Sequence, residues 1–235
     1  MKTEKPHLVV LSGAGMSAES GIRTFRDNNG LWEEYPVEAV ASPEGWARDP
    51  DLVTRFYNER RRQLEKALPN DGHKGLAQLE EHFRVSIITQ NIDNLHERAG
   101  STSVIHLHGE LTKAQSTVDP SLVYETGYRD LGADDRCEKG SRLRPHIVWF
   151  GEAVPAMDDA ITVVETADIF LIIGTSLVVY PAAGLINYAP GTSERYLIDP
   201  NNVPVPGYLN VRKINAGASE GVKIFTELLK KKYGF

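Results

Sequence analysis

The sequence predicts an α/β fold built on a doubly wound parallel sheet, and three observations lead there. Short apolar runs alternate with helical patterns, as strands and crossover helices do. The first run opens into a glycine-rich loop, and the later runs end in unusual polar sequences where such sheets bind ligands. The runs are Leu8–Leu11, Val85–Ile88, Val104–Leu107, Ile169–Ile173, Tyr196–Ile198 and Val211–Ile214. Helical periodicity appears at Gly75–His82 and Glu220–Lys231. The run ends read SGAG, TQNID, HLHGE, GTS and IDPNN, and their convergence on one sheet edge outweighs any single motif.

Two stretches interrupt the alternation. Leu31–Leu68 holds aromatics and a highly charged helical pattern, Leu52–Leu68, and reads as a helical insertion. Leu111–Pro145 is polar and too poor in large apolar residues to bury much core of its own. The expected division is a Rossmann-type domain from residues 1–30, 71–110 and 147–235, with a small domain from 31–70 and 111–146.

The chain has 235 residues, enough for a large domain with a small insert. A net charge of -6 argues against general nucleic-acid binding. No apolar run approaches the 18 or so residues of a spanning helix, and MKTEKPHLVV has no secretory apolar region. A single cysteine, Cys137, excludes an internal disulfide and fits a reducing compartment, so a cytoplasmic location is expected. The basic KKKY near the C-terminus reads as a complement to a helix dipole.

The first apolar run leads into GAGMSAESGIRTFRD, residues 13–27. Gly13, Gly15 and Ala18 form a G-x-G-x-x-A pattern that lets backbone N–H groups approach a pyrophosphate. Arg23, Phe25 and Arg26 follow at once, and no acidic ribose ligand is evident about 20 residues on. This reads as a dinucleotide pocket with a reactive loop over it. In TQNID, Gln90, Asn91 and Asp93 offer donors and acceptors for ribose hydroxyls, a water or a carboxamide; equally, Asn91 or Asp93 can cap a helix starting near Leu95.

Alternation along a strand puts His106 and His108 on one face. No third ligand matches them for a metal. His108, nearer the strand end, is the candidate general base. RPHIVWFGE, residues 144–152, reads either as a core strand or as an edge with an aromatic wall for an extended peptide. Small-residue turns at Gly174-Thr175-Ser176, Asp199-Pro200-Asn201 and Gly217-Ala218 suit close approach by a nucleotide.

Together GAGMSAESGIRTFRD, TQNID, HLHG, PHIVWFGE and GTS resemble the sirtuins, NAD-dependent protein lysine deacylases, in that family's order and over nearly the whole chain. The resemblance implies a cleft for NAD and acyl-lysine. It implies His108 as base, Gln90, Asn91, Ile92 and Asp93 at ribose, water and nicotinamide, and Gly13, Ala14, Gly15 and Ser17 as phosphate loop. Phe25 and Arg26 become its flexible cover, and Gly174, Thr175, Ser176, Asp199, Pro200, Asn201 and Ala218 further cofactor contacts. Val148, Trp149 and Phe150 fall to the substrate.

In the implied reaction the acyl oxygen displaces nicotinamide, and His108 deprotonates a ribose hydroxyl that attacks the acyl carbon. Water then releases lysine and O-acyl-ADP-ribose. Ala41 with Tyr57-x-x-Arg60 resembles the class III members, whose Tyr and Arg bind acidic acyl groups. Residues three apart on a helix share a face, so phenol and guanidinium can meet one carboxylate.

The departure is at zinc. Where many members carry two cysteine pairs, this chain has Ser116 and Asp119, then Cys137 and Gly140. One thiolate does not make a structural site, and His146 lacks the spacing to assist, so no zinc is expected. Two other readings use the same pocket. An ADP-ribosyltransferase leaves Tyr57 and Arg60 without purpose, and a non-catalytic NAD sensor needs neither His108 nor Asn91.

Overall fold

The computed structural model describes residues 5–22, 31–32 (backbone only) and 35–235. In chain order it begins with β1 (His7–Ser12), two 3₁₀ turns (Ala14–Met16, Ala18–Ser20), β2 (Leu31–Trp32) and β3 (Tyr35–Pro36). Helices α1 (Val37–Val40), α2 (Pro43–Arg48), α3 (Pro50–Lys66) and α4 (Asp71–Gln78) come next. Then follow β4 (Arg84–Thr89), α5 (Leu95–Ala99), β5 (Val104–His106), β6 (Gly109–Ser116), β7 (Val123–Glu125) and β8 (Leu143–Ile147). The chain finishes with α6 (Met157–Val164), β9 (Ile169–Ile173), β10 (Glu194–Ile198), β11 (Val211–Ile214) and α7 (Ala218–Tyr233).

Six strands form one sheet in the order β11-β10-β9-β1-β4-β5, and every pairing in it is parallel. They are the six apolar runs, save that Leu107 lies just past β5. The chain moves outward from β1 through β4 to β5, then crosses back to β9 on the other side of β1. The crevice at such a reversal is where doubly wound sheets take ligands.

Strand alternation divides the core between the two faces. Leu8 and Val10 pack with Leu76, Val222, Phe225 and Leu229 of α4 and α7. Val9 and Leu11 face Ala160 and Val164 of α6 and Leu185 of the 3₁₀ segment Ala182–Tyr188. Burial on both faces is why the central strands β1 and β9 read as unbroken apolar runs, whereas the edge strand β11 exposes Arg212 and Lys213.

The helix boundaries follow from capping chemistry. Asp49 accepts the Leu52 N–H at 2.8 Å and Pro50 opens α3; the helix stops before Pro69, which disfavours helical backbone at Leu68. Asn70 caps α4, accepting the Gly72 and His73 amides. Lys230–Lys232 do occupy the last turn of α7, ahead of Gly234 in the left-handed conformation.

The polar stretch after His108 is more ordered than its composition indicated. It forms a three-stranded antiparallel sheet, β7-β6-β8, over a small cluster of Ala114, Leu131, Cys137 and Leu143. Backbone pairing supplies the order that apolar content does not. A larger cluster joins α1–α3 to this sheet through Val53, Phe56, Tyr57, Leu111, Ile147 and Trp149. Among the described residues no helix is long and apolar enough to cross a membrane.

Candidate active site

A cavity of about 340 Å³ lies at the carboxyl ends of β1, β4 and β9 and runs beneath α3. Of the expected cofactor residues, Gly13, Ala14, Ser17, Gln90, Asn91, Ile92, Asp93, Gly174, Thr175 and Ser176 line it, and so does His108. All six expected substrate residues, Ala41, Tyr57, Arg60, Val148, Trp149 and Phe150, line it too. Gly15, Asp199, Pro200, Asn201 and Ala218 do not lie on its wall. Phe25 and Arg26 fall outside the described residues.

The glycine loop departs from its expected reason. The Gly13 N–H donates to Ile173 O and the Gly15 N–H to Gly174 O, so both amides tie this loop to the end of β9. A Cβ on Gly13 would sit 2.7 Å from the Thr175 Cβ, and one on Gly15 2.8 Å from the Gly174 Cα. The glycines are required because two loops meet at the sheet reversal. The turn that follows is 3₁₀, and the Ser219 amide and hydroxyl bond the Glu19 carboxylate, joining it to the start of α7.

In TQNID the capping and site readings both hold, on different atoms. Asp93 Oδ1 accepts the Leu95 N–H at 3.1 Å as α5 begins, while Oδ2 accepts the Ser17 hydroxyl at 2.8 Å. Asn91 does not cap: its Nδ2 donates to Ser17 Oγ at 3.0 Å. Ser17 thus joins the glycine loop to β4's end through two buried polar partners. Burial pushes the Asp93 carboxyl up, partly offset by the Ser17 and Leu95 hydrogen bonds. Asp199 uses its Oδ1 locally, accepting the backbone and side-chain N–H of Asn201. Ala218 packs in the core as α7 begins.

The two histidines have separate tasks. His108 Nδ1 lies 2.9 Å from Gln90 O; a carbonyl only accepts, so Nδ1 carries the proton and Nε2 is the free acceptor. Burial lowers the His108 pKa, which keeps the ring neutral and competent as a base. His106 Nδ1 donates to Asn91 O at 3.2 Å and its Nε2 meets Glu97 at 2.6 Å. Burial opposes its charge, but Glu97 outweighs that and the His106 pKa is raised.

Tyr57 and Arg60 lie on α3, both buried and both lining the cavity. The Tyr57 hydroxyl oxygen accepts the Trp149 indole N–H at 3.1 Å, and burial pushes the phenol pKa well up. Arg60 Nη1 donates to Phe56 O at 2.7 Å, and its guanidinium lies 3.6 Å over the Phe56 ring. Glu152, Val154, Val178 and Tyr180 also line the wall. From the sequence Glu152 carried no role, and the small-residue turn ending at Ser176 stopped short of the cavity rim at residues 178–181. Val178 and Tyr180 stand exposed at that rim, which only the fold reveals.

Around Ser116, Ser141 and Cys137 a hydrogen-bonded turn joins the chain on either side of β7. Ser116 Oγ lies 2.9 Å from Ser141 Oγ, which lies 3.0 Å from Cys137 Sγ. Ser116 Oγ also accepts the Val118 and Asp119 amides, and Lys139 pairs with Asp119 at 2.7 Å. Hydrogen bonds from Ser116 and Ser141 bring the Cys137 thiol down to about 7. Among the described residues, no cluster of three or more His, Cys, Asp or Glu side chains is placed to hold a metal.

Comparison with known proteins gives concordant matches. The Sir2 family model matches residues 13–181. A Bacteroides thetaiotaomicron protein named NAD-dependent protein deacylase is 56% identical over 231 residues, 95% of this chain and 97% of that relative. A Helicobacter pylori protein of the same name is 54% identical over 214 residues, covering 90% and 92%. The crystal structure of a Sir2 homolog–NAD complex superposes with a TM-score of 0.86 at 38% identity, over 97% of this chain and 91% of that one.

Proposed function

The chain belongs to the Sir2 family, the sirtuins, and on that premise we propose that it removes acetyl, succinyl and malonyl groups from protein lysines with consumption of NAD. The products are free lysine, nicotinamide and O-acyl-ADP-ribose. The observation that carries the acidic-acyl reading is one cavity lined by both His108 with Asn91 and Ala41 with Tyr57 and Arg60.

The residues present suit a dinucleotide. Gly13, Ala14 and Ser17 would hold its phosphates, and Gln90, Thr175 and Ser176 its ribose; all six line the cavity. Bound NAD supplies an electrophilic ribose carbon. Asn91 holds the ribose and the attacking water, through an amide whose orientation Ser17 sets. His108 takes a proton from a ribose hydroxyl at Nε2, and the Gln90 carbonyl fixes the tautomer that makes this possible. Ile92, Phe150 and Val154 line the enclosure and exclude water.

Ala41 leaves space for the longer acyl chain, and Arg60 with Tyr57 receives its terminal carboxylate. The hydrogen-bonded turn around Ser116, Ser141 and Cys137 stands in place of a zinc site, and the protein works without structural zinc. The test is Arg60→Met. Losing one charge-assisted hydrogen bond, worth roughly 1.5–3 kcal/mol, raises the KM for a succinyl-lysine peptide about ten- to over a hundredfold. The KM for the acetyl-lysine peptide changes little. Equal losses on both peptides would show that Arg60 supports α3 through the Phe56 carbonyl and not the acyl group.

A further inference from the structure

We propose that Trp149 is a specificity-determining positioning residue, whose indole N–H fixes the Tyr57 hydroxyl as a donor toward an acyl carboxylate, and that Arg144 and Glu152 hold the indole in place. This rests on the acidic-acyl reading above and goes beyond it.

A phenol oxygen both donates and accepts, so by itself Tyr57 does not discriminate between a carboxylate and a group that donates. Trp149 removes that freedom. Indole Nε1–H is a donor only, and it lies 3.1 Å from the Tyr57 oxygen in a buried contact. Once the oxygen accepts from Trp149, its own proton is directed away from the indole, and accepting one hydrogen bond strengthens the phenol as donor of another. Burial raises the Tyr57 pKa, which keeps that proton in place.

The indole has little freedom of its own. The Arg144 guanidinium stacks 3.9 Å from the Trp149 ring centroid, and Trp46 packs against the same side chain at 5.7 Å. Arg144 is fixed in turn by a two-pronged pairing with Glu152, at 2.8 and 3.0 Å. Glu152 Oε2 also accepts the Trp149 backbone N–H at 2.8 Å. Both ends of the tryptophan are therefore held by one ion pair, and its donor edge points at one atom. Neutral aromatic packing alone requires no such arrangement.

The test is a double-mutant cycle read as the ratio of kcat/KM for succinyl-lysine to that for acetyl-lysine, in which effects common to both peptides cancel. Trp149→Phe keeps an aromatic wall and deletes the donor. The ratio should fall about three- to tenfold, in the KM for the succinyl peptide rather than kcat. In a Tyr57→Phe background the same substitution should not lower the ratio further. Arg144→Lys keeps a charge for Glu152 but loses the flat stacked fork, and should move the ratio the same way by less. It carries the test if Trp149→Phe fails to fold. A ratio lowered by Tyr57→Phe but untouched by Trp149→Phe, or lowered equally in both backgrounds, overturns the proposal and leaves the acidic-acyl reading standing. A ratio unmoved by Tyr57→Phe and Arg60→Met removes that reading, and this proposal with it.

Discussion

Ser17→Ala removes one hydroxyl and unsettles two buried groups at once. In the native protein Ser17 Oγ donates to Asp93 Oδ2 at 2.8 Å and accepts from Asn91 Nδ2 at 3.0 Å. The neutral bond contributes about 1 kcal/mol and the bond to the carboxylate about 1.5–3, so the variant should lose about 2.5–4 kcal/mol of stability at neutral pH. The loss should depend on pH with a definite sign. Asp93 already has a raised pKa, so its buried charge weakens the fold as pH rises through that value, and the Ser17 bond opposes this. Without the bond the pKa rises further, and the deficit shrinks as acid protonates the carboxyl. Denaturant unfolding at neutral and mildly acidic pH measures both effects, and the KM for NAD should rise in parallel because Asn91 loses its orienting partner. A stability change below about 0.5 kcal/mol with an unchanged KM for NAD would refute the reasoning.

Three further outcomes follow. His108→Ala should abolish deacylation while NAD binding, measured by calorimetry, persists; and because burial lowers the His108 pKa, the acid limb of kcat/KM in the native enzyme should fall below the usual histidine value of about 6.5. Metal analysis of purified protein should give far less than one zinc per chain, with fold and activity indifferent to chelators, whereas stoichiometric zinc surviving dialysis would point to ligands near Cys137 and His146. His73 is buried, has no hydrogen-bond partner among the described residues and is held down to about 4 by that burial, so its neutral form is favoured in the fold. Its contribution, roughly 3 kcal/mol for the difference between 6.5 and 4, is present above pH 6.5 and lost as pH falls toward 4; His73→Phe should flatten that part of the stability profile.

The sheet was legible because its central strands, covered on both faces, are near-continuous apolar runs bounded by turn residues, while the edge strand β11 shows only at its apolar ends, Val211 and Ile214. The candidate site was legible where polar side chains sit at the run ends: Asn91, Asp93 and His108 border one cavity, and the Tyr57/Arg60 pair of α3, read only through the family resemblance, borders it as well. What escaped was set by distant contacts. Nothing in G-x-G states that its glycines exist to admit Gly174, because that neighbour is some 160 residues away in sequence. The β6–β8 sheet was hidden since backbone pairing leaves little mark on composition. Trp149 read as wall or core, and its role as a donor to Tyr57 emerges only when residues 92 apart meet.

The most direct measurement is mass spectrometry of acetyl-, malonyl- and succinyl-lysine peptides incubated with the protein, with and without NAD. The expected result is loss of the succinyl and malonyl groups only with NAD, one nicotinamide and one O-acyl-ADP-ribose appearing per lysine freed. Acetyl-lysine turned over while succinyl-lysine stays intact, or acyl loss without nicotinamide release, would contradict it.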